Sequence, residues 1–267
     1  MSKLKISIIT VCYNAVDKIE ETIQSVINQT YLDLEYIIID GASNDGTMDV
    51  INKYRGNISL IVSESDKGIF DAMNKGIDLC TGNYCLFLNC GDYFFSKDSV
   101  KDAVAQFDQR SDVIYGNTEY RFDYGNEVLA PQSLEKVMTG AFCCHQSTFF
   151  STNVIKKYKY DLSYKIVSDW VLFRNMYMEH RKFQYIDITI ASYDNIEGLS
   201  TANNISSFIQ HQKEKARCMK IDDDFCWRCL LLYKSLCFIT RRFLIRFIPE
   251  SIYGKLKRYW IHIHIQG

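Results

Sequence analysis

The run Lys5 to Val11 (Lys-Ile-Ser-Ile-Ile-Thr-Val) is short, β-branched and almost unbroken in its apolarity, and it narrows the fold more than any other stretch. Strands exposed on one face alternate, whereas strands buried on both faces of a parallel sheet read as continuous apolar runs. A polar loop follows. Asp17 with Glu20 three residues on then resembles a capping box, and Ile19, Ile23, Val26 and Ile27 recur at helical spacing. The unit repeats with a strand over Glu35 to Ile39, the loop Asp40 to Gly46 and a helix from Thr47 to Tyr54. A third strand is predicted over Ile58 to Ser63, then a helix marked by Phe70, Met73 and Ile77 and stopped by Gly82, then a fourth strand over Tyr84 to Leu88. Strands alternating with helices imply right-handed crossovers and a parallel sheet.

Beyond Asp92 the pattern predicts a helix over Ser99 to Gln109, a strand over Asp112 to Tyr115 and turns at Asp123 to Asn126 that lead into an antiparallel addition. Helices are expected over Asp169 to His180 and Ser206 to Cys218, and a long apolar-basic segment over Phe225 to Phe247. At 267 residues, the length suits one α/β domain with an appendage. Two prolines leave little room for disordered linkers. The ten cysteines sit mostly inside apolar runs and the N-terminus lacks a signal-peptide core, so they read as reduced, buried thiols of a cytoplasmic protein. Cys226 and Cys229 have CxxC spacing, but no second pair follows at zinc-site spacing, and helix packing explains them better.

Ligands of an open parallel sheet bind beyond the carboxyl ends of its strands. The loops there collect acids: Asp40 and Asp45 after the second strand, Asp66 after the third and Asp92 after the fourth. Each alone reads as a turn former. Together, with no glycine-rich cradle, they would need a divalent cation, Mn2+ or Mg2+, to bind a diphosphate. The first loop, Val11-Cys-Tyr-Asn14, lacks GxGxxG and GxxxxGK[ST], which excludes dinucleotide and P-loop enzymes.

Four ordered motifs carry a family resemblance: Ile8-Ile-Thr-Val-Cys-Tyr-Asn14, Ser25-Val-Ile-Asn-Gln-Thr30, Ile39-Asp-Gly-Ala-Ser-Asn-Asp-Gly-Thr47 and Asp66-Lys-Gly-Ile-Phe-Asp-Ala-Met-Asn-Lys-Gly-Ile77. Over roughly residues 4 to 200 the chain resembles glycosyltransferase family 2. The resemblance implies an α/β GT-A fold with a mostly parallel central sheet flanked by helices, a UDP- or GDP-sugar donor, and inversion at the anomeric carbon. It also implies that Thr10, Tyr13, Asn14 and Asp40 hold the nucleoside and that Asp66 and Lys67 lie near base and ribose, with Ser43, Asp45, Gly68 and, one turn apart on the next helix, Asp71 and Asn74 as further donor-binding residues. Family members usually end the fourth strand in Asp-x-Asp. Here Asn89-Cys-Gly-Asp92 leaves Asp92 as the metal carboxylate, with Asn89 and Gly91 on the donor side. The run Tyr160 to Arg174 resembles the segment that supplies the base, which becomes Asp169, with Trp170 beside it on the acceptor side, and Cys144-His-Gln-Ser-Thr148 resembles an acceptor-side stretch, giving His145 and Gln146. Gly198 and Ser200 match a later Gly-x-Ser element.

These matches divide the chain into a catalytic domain over 1–224, with a nucleotide-binding half over 1–117 and an acceptor half over 118–224, and an amphipathic helical tail over 225–267. The tail carries eight basic residues against Glu250 alone, a surplus of seven; the overall charge of −1 therefore leaves −8 on the rest. No nucleic-acid motif accompanies this charge. Arginines and lysines within Phe225 to Phe247 forbid a membrane span, each costing about 2.5–3.5 kcal/mol near the bilayer centre. The tail instead reads as a peripheral helix on an anionic membrane, with Trp227, Tyr233, Phe238 and Trp260 as anchors, or as a packing element of a homodimer. The acceptor is expected to be a saccharide, and a lipid-linked one in surface-polysaccharide synthesis if the tail meets membrane. The competing reading is a catalytically silent subunit, motivated by Asn89.

Overall fold

Strand β1 (Ile6–Cys12) is buried along its whole length, as its unbroken apolar run requires. A computed structural model describes residues 4–195, 204–222 and 224–245. In it β1 lies between β2 (Leu34–Asp40) and the later β4 (Tyr84–Phe87), parallel to both, and β3 (Leu60–Ser63) continues the parallel set beyond β2. Helices α1 (Ile19–Ile27), α2 (Thr47–Lys53) and α3 (Ile69–Leu79) make the crossovers. Cys12 pairs with Asp40, and Asp40 with Ser63, so three strand ends finish level and open their loops side by side.

The chain continues through β5 (Tyr93–Phe94), α4 (Ser99–Ala105), β6 (Val113–Phe122), β7 (Gly125–Leu129), β8 (Thr148–Ser151), α5 (Thr152–Tyr158), α6 (Ser168–Met178) and β9 (Phe183–Asp194). Strand β8 runs antiparallel between β4 and β6, β9 is parallel to β6, and β5 closes the edge antiparallel to β9. The result is a nine-stranded mixed sheet in the order β3-β2-β1-β4-β8-β6-β9-β5, with β7 on β6. Ile6, Ile8, Ile19, Ile23, Ile38 and Leu86 form the centre of one core face.

The chain clusters into two compact units, Met1–Arg121 with Asn126–Asp194, and Phe122–Gly125 with Asn195–Gly267. In the second, α7 (Ile205–Met219) is capped by the Asn204 side chain and packs on α8 (Phe225–Ile245), where the Phe208 and Phe238 rings stack at 4.6 Å. Gly198, Ser200, Trp260 and the tail beyond Ile245 lie outside the described residues.

Local departures from the sequence pattern have physical causes. Lys18, without a side-chain capping bond, stands at the α1 N-cap, and Glu20 accepts instead from the Tyr54 hydroxyl at 2.6 Å. Helix α3 ends at Leu79 without Gly82, whose real constraint is proximity: a Cβ there would sit 2.7 Å from the Lys5 carbonyl oxygen. Helix α4 stops at Ala105, and the predicted four-residue strand runs on to Phe122. Cys226, Cys229 and Cys237 are exposed on α8 rather than buried.

At the opposite end of the sheet from the acidic loops, Glu35 accepts from Lys5 Nζ at 2.8 Å, Ser7 Oγ at 2.6 Å, and the Thr81 amide and hydroxyl at 2.7 and 2.5 Å. Burial pushes its carboxyl up, but these bonds together outweigh burial and bring it down to about 2. A depressed folded pKa contributes stability that is present above the unfolded value and lost as pH falls through the folded one. Glu35→Gln is therefore expected to lower stability by roughly 2–3 kcal/mol at pH 6, with the gap closing towards pH ~2 in urea unfolding series.

Candidate active site

Three loops are stapled together at the level ends of β1, β2 and β3. The chain leaves β1 with Asn14 in a left-handed conformation (φ 46°), its amide donating to Ser43 Oγ at 2.8 Å while its Oδ1 accepts from the Asn44 amide at 3.0 Å. Asp40 is fully buried. It accepts from the Ser43 amide and hydroxyl at 3.0 and 2.5 Å and from Ser63 Oγ at 2.6 Å, so it organises both following loops. Asp45 accepts from the Thr47 amide and hydroxyl at the start of α2 and from the Val16 amide at 3.1 Å. The Thr47 bond is the main cause of its lowered pKa.

A cleft wall follows from this stapling. A Cβ on Gly41 would lie 2.6 Å from Asp66 Oδ2 and 3.2 Å from the Tyr13 ring, so only a glycine lets these groups meet. Tyr13 is 64% exposed, an aromatic face left open beside a carboxylate. Asp66 Oδ1 accepts from the Gly68 amide at 2.8 Å, and Asp71 Oδ2 accepts from the Lys67 amide at 3.0 Å, which fixes the entry to α3. Three of the sequence candidates turn inward instead. Thr10 donates to the Leu88 carbonyl at 2.8 Å, Asn74 exchanges two bonds with the Tyr160 backbone at 2.8 and 2.9 Å, and the buried Trp170 indole donates to the Val137 carbonyl at 2.6 Å. They brace the site from behind.

The loop after β4 turns at Gly91 (φ 93°), where the Asp92 amide donates to the Asn89 carbonyl at 3.0 Å. Asp92 is 4% exposed. Its Oδ1 accepts from the Asp194 amide at 2.8 Å and its Oδ2 from Gln146 Nε2 at 2.9 Å, leaving lone pairs on both oxygens. Desolvation lifts its pKa to about 6 against the pull of those bonds and of His145 and Arg121. Thr22 braces the turn by donating to the Asp92 carbonyl at 2.8 Å and accepting from the Gly91 amide at 3.0 Å. Arg121 donates to the Gly91 carbonyl and lies over the Tyr93 ring at 4.3 Å.

Among the described residues, no three His, Cys, Asp or Glu side chains converge to hold a metal ion. A diphosphate-bound cation needs fewer protein oxygens, because phosphate and water complete its shell. Asp92 suits that role, and close by in sequence Asn89 Oδ1 is buried with no hydrogen-bond partner, an acceptor awaiting a donor or a cation.

The other side of the site comes from a single 3-10 turn, His145–Ser147. Gln146 faces Asp92, while His145 Nε2 lies 3.2 Å from Asn89 Nδ2 and Nδ1 lies 3.5 Å from Asp169 Oδ2. Asp169 stands in the first turn of α6, 32% exposed, and its Oδ1 accepts from the Trp170 amide at 2.7 Å. Gln146, read from the sequence as acceptor-side, spends its NH2 on Asp92. Thr22, Arg121 and Asp194 had escaped the motif reading; a threonine on the apolar face of α1 was the one visible sign.

Residues 7–181 match the family model for glycosyl transferase family 2. The chain belongs to that family. It is 30% identical over 207 residues to a PGL/p-HBAD biosynthesis glycosyltransferase of Mycobacterium bovis, covering 73% of this chain and 78% of the relative. It is 35% identical over 109 residues to the putative teichuronic acid biosynthesis glycosyltransferase TuaG of Bacillus subtilis, covering 40% and 43%. Among solved structures it shares the fold of S. aureus TarS 1-349 in complex with UDP-GlcNAc, with TM-score 0.64, 20% identity, and coverage of 80% of this chain and 66% of that one. The mannosyltransferase PcManGT from Pyrobaculum calidifontis in complex with GDP-Man and Mn2+ gives TM-score 0.61 and 16% identity, covering 82% and 64%. The chain therefore spans just under two thirds of these two solved relatives. As a family 2 glycosyltransferase it takes its sugar from a nucleotide-sugar donor.

Proposed function

We propose that the chain is an inverting, GT-A-type hexosyltransferase that moves sugar from a UDP- or GDP-sugar to the hydroxyl of a saccharide acceptor. The observation that carries this is the 3-10 turn whose neighbouring residues touch Asp92 on one side and Asp169 on the other, so that the metal-loop carboxylate and a half-exposed carboxylate share one site. Tyr13, Gly41 and Asp66 would receive the nucleoside, within loops held by Asp40, Ser43 and Asn14. Asp92 would hold Mn2+ or Mg2+, which when bound neutralises charge on the diphosphate leaving group. Asp169 would accept the acceptor's proton as its oxygen attacks the anomeric carbon from the side opposite the diphosphate, which inverts that centre.

A membrane-borne acceptor at the cytoplasmic face is supported by α8. Phe225, Leu232, Leu236, Ile239 and Phe243 are exposed and fall on one helical face. Arg228 flanks that face, Lys234 and Arg242 lie further round the helix, and no acidic residue in the helix balances them. An anionic leaflet offers the missing charge, about 1 kcal/mol per basic residue. Among the described residues, no helix is long and apolar enough to cross a membrane. The relatives named for PGL/p-HBAD and teichuronic acid synthesis fit a lipid-linked surface saccharide as acceptor.

Two experiments test the two parts. Full-length protein with manganese and a panel of UDP- and GDP-sugars should release nucleoside diphosphate from one of them, with the product anomer opposite to the donor's by NMR. Donor binding without release from any sugar would favour the silent-subunit reading that Asn89 motivates. At low salt the protein should float with phosphatidylglycerol vesicles and not with phosphatidylcholine, and Arg228→Glu with Lys234→Glu and Arg242→Glu should abolish flotation. Equal failure with both lipids would leave α8 as a packing or dimer element.

A further inference from the structure

Resting on Asp169 as the base, we propose that His145 is a positioning residue that fixes the Asp169 carboxylate, and that Asn89 selects the imidazole tautomer this requires. The Asn89 amide points its NH2 at His145 Nε2 across 3.2 Å. Nε2 is then the acceptor, and the ring proton sits on Nδ1, which faces Asp169 Oδ2 at 3.5 Å. The Trp170 amide holds the other oxygen, Oδ1, at 2.7 Å. Oδ1 thus has a donor already bonded, Oδ2 has the Nδ1–H facing it just beyond hydrogen-bond length, and each keeps a lone pair for an acceptor hydroxyl. Contacts of this kind are often long without substrate and tighten when it binds.

The ring itself is held. Its side chain is 14% exposed, and its backbone lies in the 3-10 turn that Gln146 anchors to Asp92 at 2.9 Å. The His145 ring is therefore a strut between the loop after β4 and the first turn of α6. An aspartate at position 89 would place a carboxylate against Nε2 and draw the proton there, away from Asp169. The amide at position 89 has a use in this arrangement apart from any loss of metal affinity.

The test measures manganese-supported turnover of the nucleotide sugar that the donor panel selects. His145→Ala should lower kcat about 10- to 100-fold, the range a small misplacement of a catalytic group produces, with the donor KM unchanged. His145→Asn, which keeps an N–H donor at the δ position, should recover most of the loss, whereas His145→Gln should not. In an Asp169→Asn background His145→Ala should add nothing, because both act through one group. A further loss there, or a raised donor KM with intact kcat, overturns the proposal. Asp169→Asn inactive beside fully active His145→Ala overturns the proposal alone; full turnover of Asp169→Asn overturns the base assignment with it. A fold-independent check is the imidazole 15N spectrum of the wild-type protein, which holds five histidines. His145 should show a protonated Nδ1 and a bare Nε2, and the opposite tautomer overturns the proposal.

Discussion

Asp169→Asn is expected to lower sugar transfer by at least ~100-fold while nucleoside-diphosphate binding stays near wild type. The substitution is isosteric, the side chain is 32% exposed, and the bond from the Trp170 amide to Oδ1 can persist in an amide. What disappears is the capacity to take a proton. The new NH2 also faces His145 Nδ1, donor against donor, so the ring has reason to change tautomer. Single-turnover rates at saturating donor, set beside calorimetry with UDP or GDP, separate the two effects. Transfer at the wild-type rate would mean that another group is the base, and the reading of the α6 N-terminus would fall.

The parallel half of the fold was legible because β1, β2 and β4 are buried on both faces and its helices carry apolar stripes, both local signals. Strand β1 differs from its predicted span by one residue at each end. The second half was harder. Strand β6 continues through Asn117, Thr118, Glu119 and Arg121, polar residues that end an apolar pattern, and only pairing with β9 extends it. Gly82 looked like a helix stop because local spacing cannot reveal that the chain passes against Lys5.

The site divides in the same manner. Asp40, Asp66 and Asp92 were readable as strand-end acids, yet what each carboxylate does depends on partners distant in sequence. Gln146 reaches Asp92 only because β8 lies next to β4, and Asp194 caps Asp92 only because β9 ends beside the loop. Thr10 and Asn74 carry the family's residue types, but their polar groups are spent on Leu88 and Tyr160, which no motif states.

Asp92→Asn is expected to weaken manganese-dependent binding of the nucleoside diphosphate by at least ~100-fold, about 2.7 kcal/mol, towards the affinity measured without metal. Asp92 is the single carboxylate that the loop after β4 offers, and phosphate oxygens and waters cannot replace its charge. The change also disturbs the pocket. An amide would set its NH2 against the Asp194 amide or against Gln146 Nε2, since the present oxygens accept from both. If the amide oxygen keeps the Asp194 bond, Gln146 must turn its own amide, and its Oε1 then leaves the Cys144 thiol that lies 2.8 Å away. Loss of affinity could thus come from the cation or from the pocket, and the metal-free measurement tells them apart. A metal-site role predicts that affinity without manganese is the same in mutant and wild type, whereas a pocket collapse predicts that it falls as well. Unchanged affinity in the presence of manganese would put the cation elsewhere and remove Asp92 from the mechanism.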